Sequence, residues 1–218
     1  MLFTSISQAY HHFYNKQKEN YICIEIAEDE NEVVSEYAQN ASDLRWGKPK
    51  YKGTSKNKLH DAFFLAASAE TIAGKLFGHE QNELEFDVGG DAKDYAHSDL
   101  RCIGLDIGVK VSKYGLPPLI VKKELWQDGR CGDEIICTVY EKDIERDEQG
   151  KIKRVKRVVV NGVATADVLK KYQSRDLIYD KNCEKYADRA GFYGFSKLRP
   201  LHTEKEINSF MDEYRIFS

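Results

Sequence analysis

The longest apolar stretch of the chain, residues 59–78 (LHDAFFLAASAETIAGKLFG), limits the possible folds more than any other feature. Its apolar residues recur at helical spacing, so we predict a largely buried helix, and Gly78 is suited to end it. Strand-like segments follow from about residue 83 to residue 162, with shorter helical segments before and after them. This order predicts an α/β fold with a mixed central β-sheet that is flanked by helices.

The length of 218 residues is typical of one domain with elaborations. No Pro-rich or Ser-rich linker divides the chain. We therefore predict a single domain over residues 1–218, with a core at about 59–173 and helical elaborations at 1–58 and 174–218. A hydrophobic content of 41% and a charged content of 32% are typical of a globular protein and argue against disorder.

Several features concern the compartment in which the protein works. No stretch of eighteen apolar residues is present, so no membrane span is predicted. The N-terminus lacks the basic start and apolar centre of a signal peptide. The five cysteines have no CxxC spacing, which argues against a disulfide framework and a zinc ribbon. A cytoplasmic location is the expectation.

The net charge of −3 does not exclude nucleic acid, because binding requires only a local basic surface. Residues 151–157 are basic, but the acidic segment 141–148 precedes them, so mutual charge pairing is slightly favoured over DNA contact. A second basic segment has no acidic partner close in sequence, and we predict that it contacts phosphates, with Trp46 or Tyr51 stacking on a base. Its lysines are Lys48, Lys50, Lys52, Lys56 and Lys58.

Four charged residues near the predicted strands suggest a chemical site. Asp99 ends a loop before a strand, and Asp106 and Lys110 lie in the following segment, LDIGVK. In an extended chain, Asp106, Gly108 and Lys110 share one face. Glu70 interrupts the apolar helix, and a glutamate buried there requires a partner.

The order of these residues resembles the PD-(D/E)xK nuclease superfamily, and in particular its small phage-type members. The matching elements are a helix with an inward glutamate, a strand, a GG…DL loop, a strand that ends in lysine and a further strand, LIVKK, over about residues 61–140. The family's helix glutamate falls on Glu70, its metal-binding aspartate on Asp99 and its lysine on Lys110.

The resemblance implies a restriction-endonuclease-like core and a DNA-cleaving enzyme that depends on Mg²⁺ or Mn²⁺. In such chemistry a metal offsets charge on the phosphate and activates water, and a lysine stabilises the transition state. A phage-encoded enzyme in the host cytoplasm is the expectation. The resemblance also implies a homodimer that cuts both DNA strands, although no sequence feature identifies an interface.

Gly108 departs from the family pattern, which has Asp or Glu two residues before the lysine. Asp106 is the nearest substitute, but it lies roughly 6.6 Å back along an extended strand, and a bulge at Gly108 would be needed to bring it closer. We predict metal ligation by Asp99 with Asp106, Glu70 or both, and Asp87 is a further candidate. The alternatives are a nuclease-fold protein without catalysis that binds DNA or a protein partner, and an α/β protein whose resemblance is accidental.

Overall fold

The architecture comes from a computed structural model that describes residues 6–84, 86, 99–116, 119–122, 132–171, 189–192 and 195–216. Its helices are α1 (Ile6–Asn15), α2 (Glu28–Arg45), α3 (Lys56–Leu76), α4 (Ala166–Lys171) and α5 (Glu204–Tyr214). Its strands are β1 (Ile22–Glu25), β2 (Gly108–Lys113), β3 (Leu119–Lys122), β4 (Glu134–Val139), β5 (Ile144–Arg146), β6 (Ile152–Val155), β7 (Arg157–Ala164) and β8 (Arg189–Phe192).

The central sheet has four strands in the order β1-β7-β4-β2. The β2–β4 pair is parallel, whereas β4–β7 and β1–β7 are antiparallel, so the predicted mixed sheet flanked by helices is confirmed. Strand β1 lies within residues 1–58, so the central sheet also draws on the segment that the sequence analysis assigned to an elaboration. Two smaller pairs, β3–β8 and β5–β6, accompany the sheet.

Both faces of strand β4 are covered. Ile135 and Cys137 join the apolar core that helices α2 and α3 form with the sheet. Thr138, on the opposite face, is buried near Tyr10 of helix α1, and the ring of Tyr10 contacts Phe195. A strand that is buried on both faces is expected to be apolar at consecutive positions, as the run Ile135–Cys137 is.

Helix α3 confirms the helix that was predicted over residues 59–78. It begins at Lys56, where Ser55 Oγ accepts a hydrogen bond from the Lys58 backbone N–H. It ends before Gly78, whose φ of +81° suits glycine, and His79 N donates to Gly74 O at 3.0 Å. The helix lies against β2 and β4, and this contact places Glu70 near the sheet.

The charged segment between β4 and β7 confirms two predictions. Strands β5 and β6 form the expected hairpin. Lys156 Nζ lies 2.8 Å from Glu145 Oε1, and Arg157 Nη2 lies 2.7 Å from Asp143 Oδ1. Two of the five basic residues of 151–157 therefore pair with the acidic segment 141–148, as the sequence favoured, whereas Lys151 Nζ donates to Gln39 Oε1 at 3.0 Å.

The C-terminal part differs from expectation in one place. The capping box of Thr203 and Glu206 opens α5 as predicted. The helix predicted over residues 180–191 lies mostly outside the described residues, and its last part belongs to strand β8. Within the described ranges, no helix is long and apolar enough to cross a membrane.

Candidate functional site

Asp99 and Lys110 are in contact at strand β2, and Glu70 of α3 lies near enough for both to affect its pKa. Lys110 Nζ lies 3.2 Å from Asp99 Oδ2 and donates a hydrogen bond to it. The pKa of Glu70 is raised to about 8, mainly by burial and to a smaller degree by Asp99, whereas Lys110 acts in the opposite direction. The three side chains therefore sense one another electrostatically although they come from a helix, a turn and a strand.

The backbone of residues 99–107 explains the position of Asp99. This segment turns back on itself, since Leu100 N donates to Ile107 O at 3.3 Å. Asp99 Oδ2 then accepts a hydrogen bond of 2.6 Å from Val109 N. Among the described residues β2 is the last strand in the order of its sheet, so no described strand of that sheet requires this N–H. The bond fixes Asp99 against the strand that carries Lys110.

Glu134 is the residue that the sequence analysis missed. Strands β2 and β4 are parallel, with Gly108 opposite Glu134, so the two positions share a face of the sheet. A Cβ atom built on Gly108 would overlap the Glu134 carboxylate and lie 2.9 Å from its Cδ. Glu134 Oε2 lies 3.4 Å from Lys110 Nζ. A carboxylate from the neighbouring strand thus fills the space where the family pattern places the acid of position 108.

The surroundings of Glu134 also perturb its ionisation. Burial raises the pKa of Glu134 to about 7, with a smaller raising effect from Asp99 and an opposing effect from Lys110. Its Oε2 atom is shielded from solvent and accepts no hydrogen bond from the described residues. Among these residues, the ion pair with Lys110 offsets the cost of burying this oxygen. Three carboxyl groups thus share one ammonium group, and such a cluster favours protons or an added cation.

Asp106 is not brought to this cluster. It is exposed, and its backbone N–H donates to Tyr214 O at 3.0 Å in the segment before β2. The parallel register runs without a shift from Gly108 to Lys113, so no bulge moves Asp106 towards Lys110. Neither Glu70 nor Glu134 has Asp106 among the charges that shift its pKa. Asp87, the further candidate ligand, lies outside the described residues.

The carboxylate oxygens of this cluster can be compared with the ligands that Mg²⁺ usually has in proteins. This ion is usually held by one or two carboxylates, with water and phosphate oxygens in its remaining positions. The described residues contain no group of three or more His, Cys, Asp or Glu side chains that could hold a metal ion. Asp99 and Glu134 flank Lys110 Nζ and supply two hard oxygen donors. They fit a two-carboxylate site when the ammonium group moves aside, and the described residues preform no three-ligand cage.

The lysine-rich segment between α2 and α3 was predicted to present unpaired lysines, and the structure agrees for some of them only. Lys48, Lys52 and Lys58 are exposed. Lys56 instead forms an ion pair with Asp43 of α2, so the expectation that this segment has no acidic partner is wrong for that residue. The side chain of Lys50 lies outside the described residues. Twelve residues of α3 separate Lys58 from Glu70, which corresponds to about 18 Å along the helix axis.

Comparisons of the chain with models of known protein families, with curated proteins and with solved structures gave no match. The link to the PD-(D/E)xK superfamily therefore still depends on the order of the sequence motifs. The arrangement of Glu70, Asp99, Lys110 and Glu134 is an observation of the structure itself, and the functional argument starts from it.

Replacing Glu70 by glutamine should raise the free energy of unfolding at pH 8 and leave it nearly unchanged at pH 4.5. The pKa of Glu70 is about 8 in the folded protein, against an ordinary value of 4.5. Between these values the folded state holds a proton that the unfolded state releases, so wild-type stability falls as the pH rises through this window. Glutamine removes that loss, which for the full shift would be roughly 4 kcal/mol at pH 8. Because Glu70 is partly exposed and solvent screens its charge, we expect a gain of about 2 kcal/mol.

Urea unfolding in EDTA at both pH values measures this difference. Glu36→Gln, an exposed position on α2, is the matched control and should leave the pH dependence as it is in the wild type. Equal pH dependence in wild type and Glu70→Gln would show that Glu70 is not desolvated.

Proposed function

We propose that this protein is a Mg²⁺-dependent deoxyribonuclease with a restriction-endonuclease-like core, in which Glu134 takes the place of the acid that Gly108 lacks. One observation carries the proposal. The Glu134 carboxylate lies over Gly108, on the face of the sheet that also presents Lys110, and Asp99 is hydrogen-bonded to the same strand. Two carboxylates and a lysine are thereby collected at one place, as the family chemistry requires.

Asp99 and Glu134 would hold the metal ion, with Glu70 beside them. When bound, Mg²⁺ would offset the charge that develops on the phosphate and lower the pKa of the attacking water. The two carboxylates belong to a turn and a strand that backbone hydrogen bonds fix, so they need little reorganisation to bind a cation. The side chain that must move is Lys110, which lies between them.

Lys110 is suited to donate hydrogen bonds and not to act as a base. Burial lowers the pKa of its amine, but Glu134 and Asp99 together outweigh burial and raise it. Lys110 is therefore an ammonium group at neutral pH, with three donors on a flexible stem. Turned away from Asp99, it can donate to a phosphate oxygen or to the attacking water and stabilise the negative charge of the transition state.

Glu70 is suited to proton transfer. With a pKa of about 8, it retains its proton at neutral pH, and it lies near enough to Asp99 for that side chain to affect its pKa. A carboxyl group whose pKa lies near the working pH exchanges protons effectively with a reacting oxygen. We assign this role to Glu70 in the proposed reaction.

The proposal is tested by removal of the metal. Purified protein should cleave supercoiled, linear or single-stranded DNA in Mg²⁺ or Mn²⁺, EDTA should abolish cleavage, and excess Mg²⁺ should restore it. Gel electrophoresis of each DNA form measures the outcome. Absence of cleavage of every DNA form and of RNA, with both metals, would refute the enzymatic proposal.

A second candidate function is a nuclease-fold protein without catalysis that binds DNA or another protein. It is supported by the ion pairs of Lys110 with Asp99 and Glu134, which balance charge in the absence of a metal. The lack of a preformed three-ligand group among the described residues supports it as well. Titration with Mn²⁺ followed by electron paramagnetic resonance separates the two candidates, because the enzyme should bind Mn²⁺ and the second candidate should not.

A further inference from the structure

The segment that joins α2 to α3 displays an unusual side chain, Trp46. Its exposed fraction is 57%, the largest among the large hydrophobic residues that the structure describes. Tryptophan is normally buried over most of its surface, and its exposure leaves a large apolar ring in water without compensation from packing. An exposed indole is therefore a candidate contact for a ligand with a flat, apolar face.

Backbone hydrogen bonds hold the segment around Trp46. Trp46 N donates to Ser42 O at 2.9 Å, which ties the residue to the last turn of α2. Tyr51 N donates to Lys48 O at 2.9 Å, and Thr54 N donates to Tyr51 O at 2.9 Å. These successive turns fix the backbone on both sides of the exposed Lys48 and Lys52. Trp46, Lys48 and Lys52 thus lie on one short segment whose backbone is held by hydrogen bonds.

All charged side chains of residues 46–58 are lysines. Asp43, the acidic side chain nearest in sequence to Trp46, is paired with Lys56. Lys48, Lys52 and Lys58 are exposed to solvent. A cationic surface next to an exposed aromatic ring complements a ligand that carries both phosphates and unstacked bases.

We propose that Trp46, with Lys48, Lys52 and Lys58, is a platform for the unpaired nucleotides of single-stranded nucleic acid. In a duplex the faces of the bases are covered by their neighbours, so only phosphates are available to this surface. In a single strand a base can stack on the indole while the lysines contact the backbone. The inference builds on the proposed nuclease function and adds the form of its substrate, a strand with an unpaired segment.

The position of the platform relates it to the candidate site. Lys58 and Glu70 lie on the same helix, about 18 Å apart along its axis. This separation matches the rise of about five nucleotides in one strand of a duplex. A strand held at Lys58 therefore needs only a few nucleotides to span this distance along the helix axis.

Binding is measured in EDTA by fluorescence anisotropy with a labelled oligo(dT) and a labelled duplex of equal length. Trp46→Ala should weaken binding of oligo(dT) by roughly 5- to 150-fold, the equivalent of one lost stacking contact. Binding of the duplex should change by less than about twofold, since stacking does not contribute to it. Trp46→Phe should retain most of the affinity because its ring still stacks.

Leu44→Ala is the matched control. Leu44 is an exposed apolar residue at the end of α2, with an exposed fraction of 48%, and its substitution should leave oligo(dT) binding unchanged. Lys48→Ala should weaken binding of both DNA forms and reduce the dependence on salt, because it removes a phosphate contact. Far-UV circular dichroism establishes that each variant is folded.

The proposal is overturned if Trp46→Ala binds oligo(dT) as tightly as the wild type, if it loses duplex binding to the same degree, or if the wild type does not bind oligo(dT). Cleavage is assayed separately on the wild type in Mg²⁺. Loss of the nuclease proposal would thus appear as missing cleavage with Trp46-dependent binding intact, whereas failure of the platform would appear as cleavage without that binding.

Discussion

The loss of the Glu134 carboxylate on strand β4 should abolish most DNA cleavage, and a new carboxylate at position 108 on strand β2 should restore it. We expect Glu134→Gly to lower the cleavage rate by about 100-fold or more, as for the loss of a positioned catalytic carboxylate. The double variant Gly108→Asp with Glu134→Gly should recover a substantial part of that loss. The reason is geometric, because Glu134 now occupies the space in which a side chain at position 108 would lie.

Aspartate is the appropriate residue at position 108. A Cβ built on Gly108 overlaps the Glu134 carboxylate itself, so an aspartate carboxylate, one bond further on, would lie close to the present position of the charge. Gly108→Asp alone should be less stable than the wild type, since it forces two carboxyl groups into the same space. Removal of the Glu134 side chain relieves both the overlap and the repulsion.

Cleavage rates at saturating Mg²⁺ and thermal unfolding of the four proteins complete a double-mutant cycle. The expected signature is a strong positive coupling between positions 108 and 134 in both measurements. Glu134→Gln, which keeps the shape of the side chain without its charge, is the control for loss of the carboxylate alone. Independent, additive effects of the two substitutions would contradict the assignment of Glu134 as the displaced acid.

Replacing Lys110 by alanine should reduce cleavage by about 100- to 1,000-fold, the usual effect of removing one donor to the transition state. Binding of Mn²⁺ should be retained or strengthened, because the ammonium group that pairs with Asp99 and Glu134 no longer competes with the cation. Initial cleavage rates and isothermal titration with Mn²⁺ provide the two measurements.

Lys113 offers a matched control on the same strand. Its Nζ lies 3.4 Å from Glu141 Oε2, so Lys113→Ala also removes a lysine from an ion pair on β2. We expect it to cleave DNA at close to the wild-type rate. Equal cleavage by Lys110→Ala and the wild type would exclude Lys110 from the reaction, and equal losses in both lysine variants would indicate a general effect of charge on DNA binding.

Local patterns in the sequence were sufficient for much of the fold. The apolar spacing of residues 59–78 predicted α3, and the charge pattern of residues 141–157 predicted both the β5–β6 hairpin and its ion pairs. These predictions depend on contacts between residues near in the chain. Asp43 and Lys56, whose ion pair was not predicted, lie on two different helices, so only the packing of α2 on α3 brings them together.

The sequence by itself determined the α/β class and the position of the long helix, because helical and strand periodicities are local properties. Glu70, Asp99 and Lys110 were singled out by the resemblance to a nuclease superfamily, and their roles stay a prediction. Only the tertiary structure decided which further acid lies beside Asp99 and Lys110. The parallel register that sets Gly108 opposite Glu134 joins segments about 26 residues apart, and it depends on how two strands pack beneath α3. That register brings Glu134 to Lys110 and leaves Asp106 in solvent.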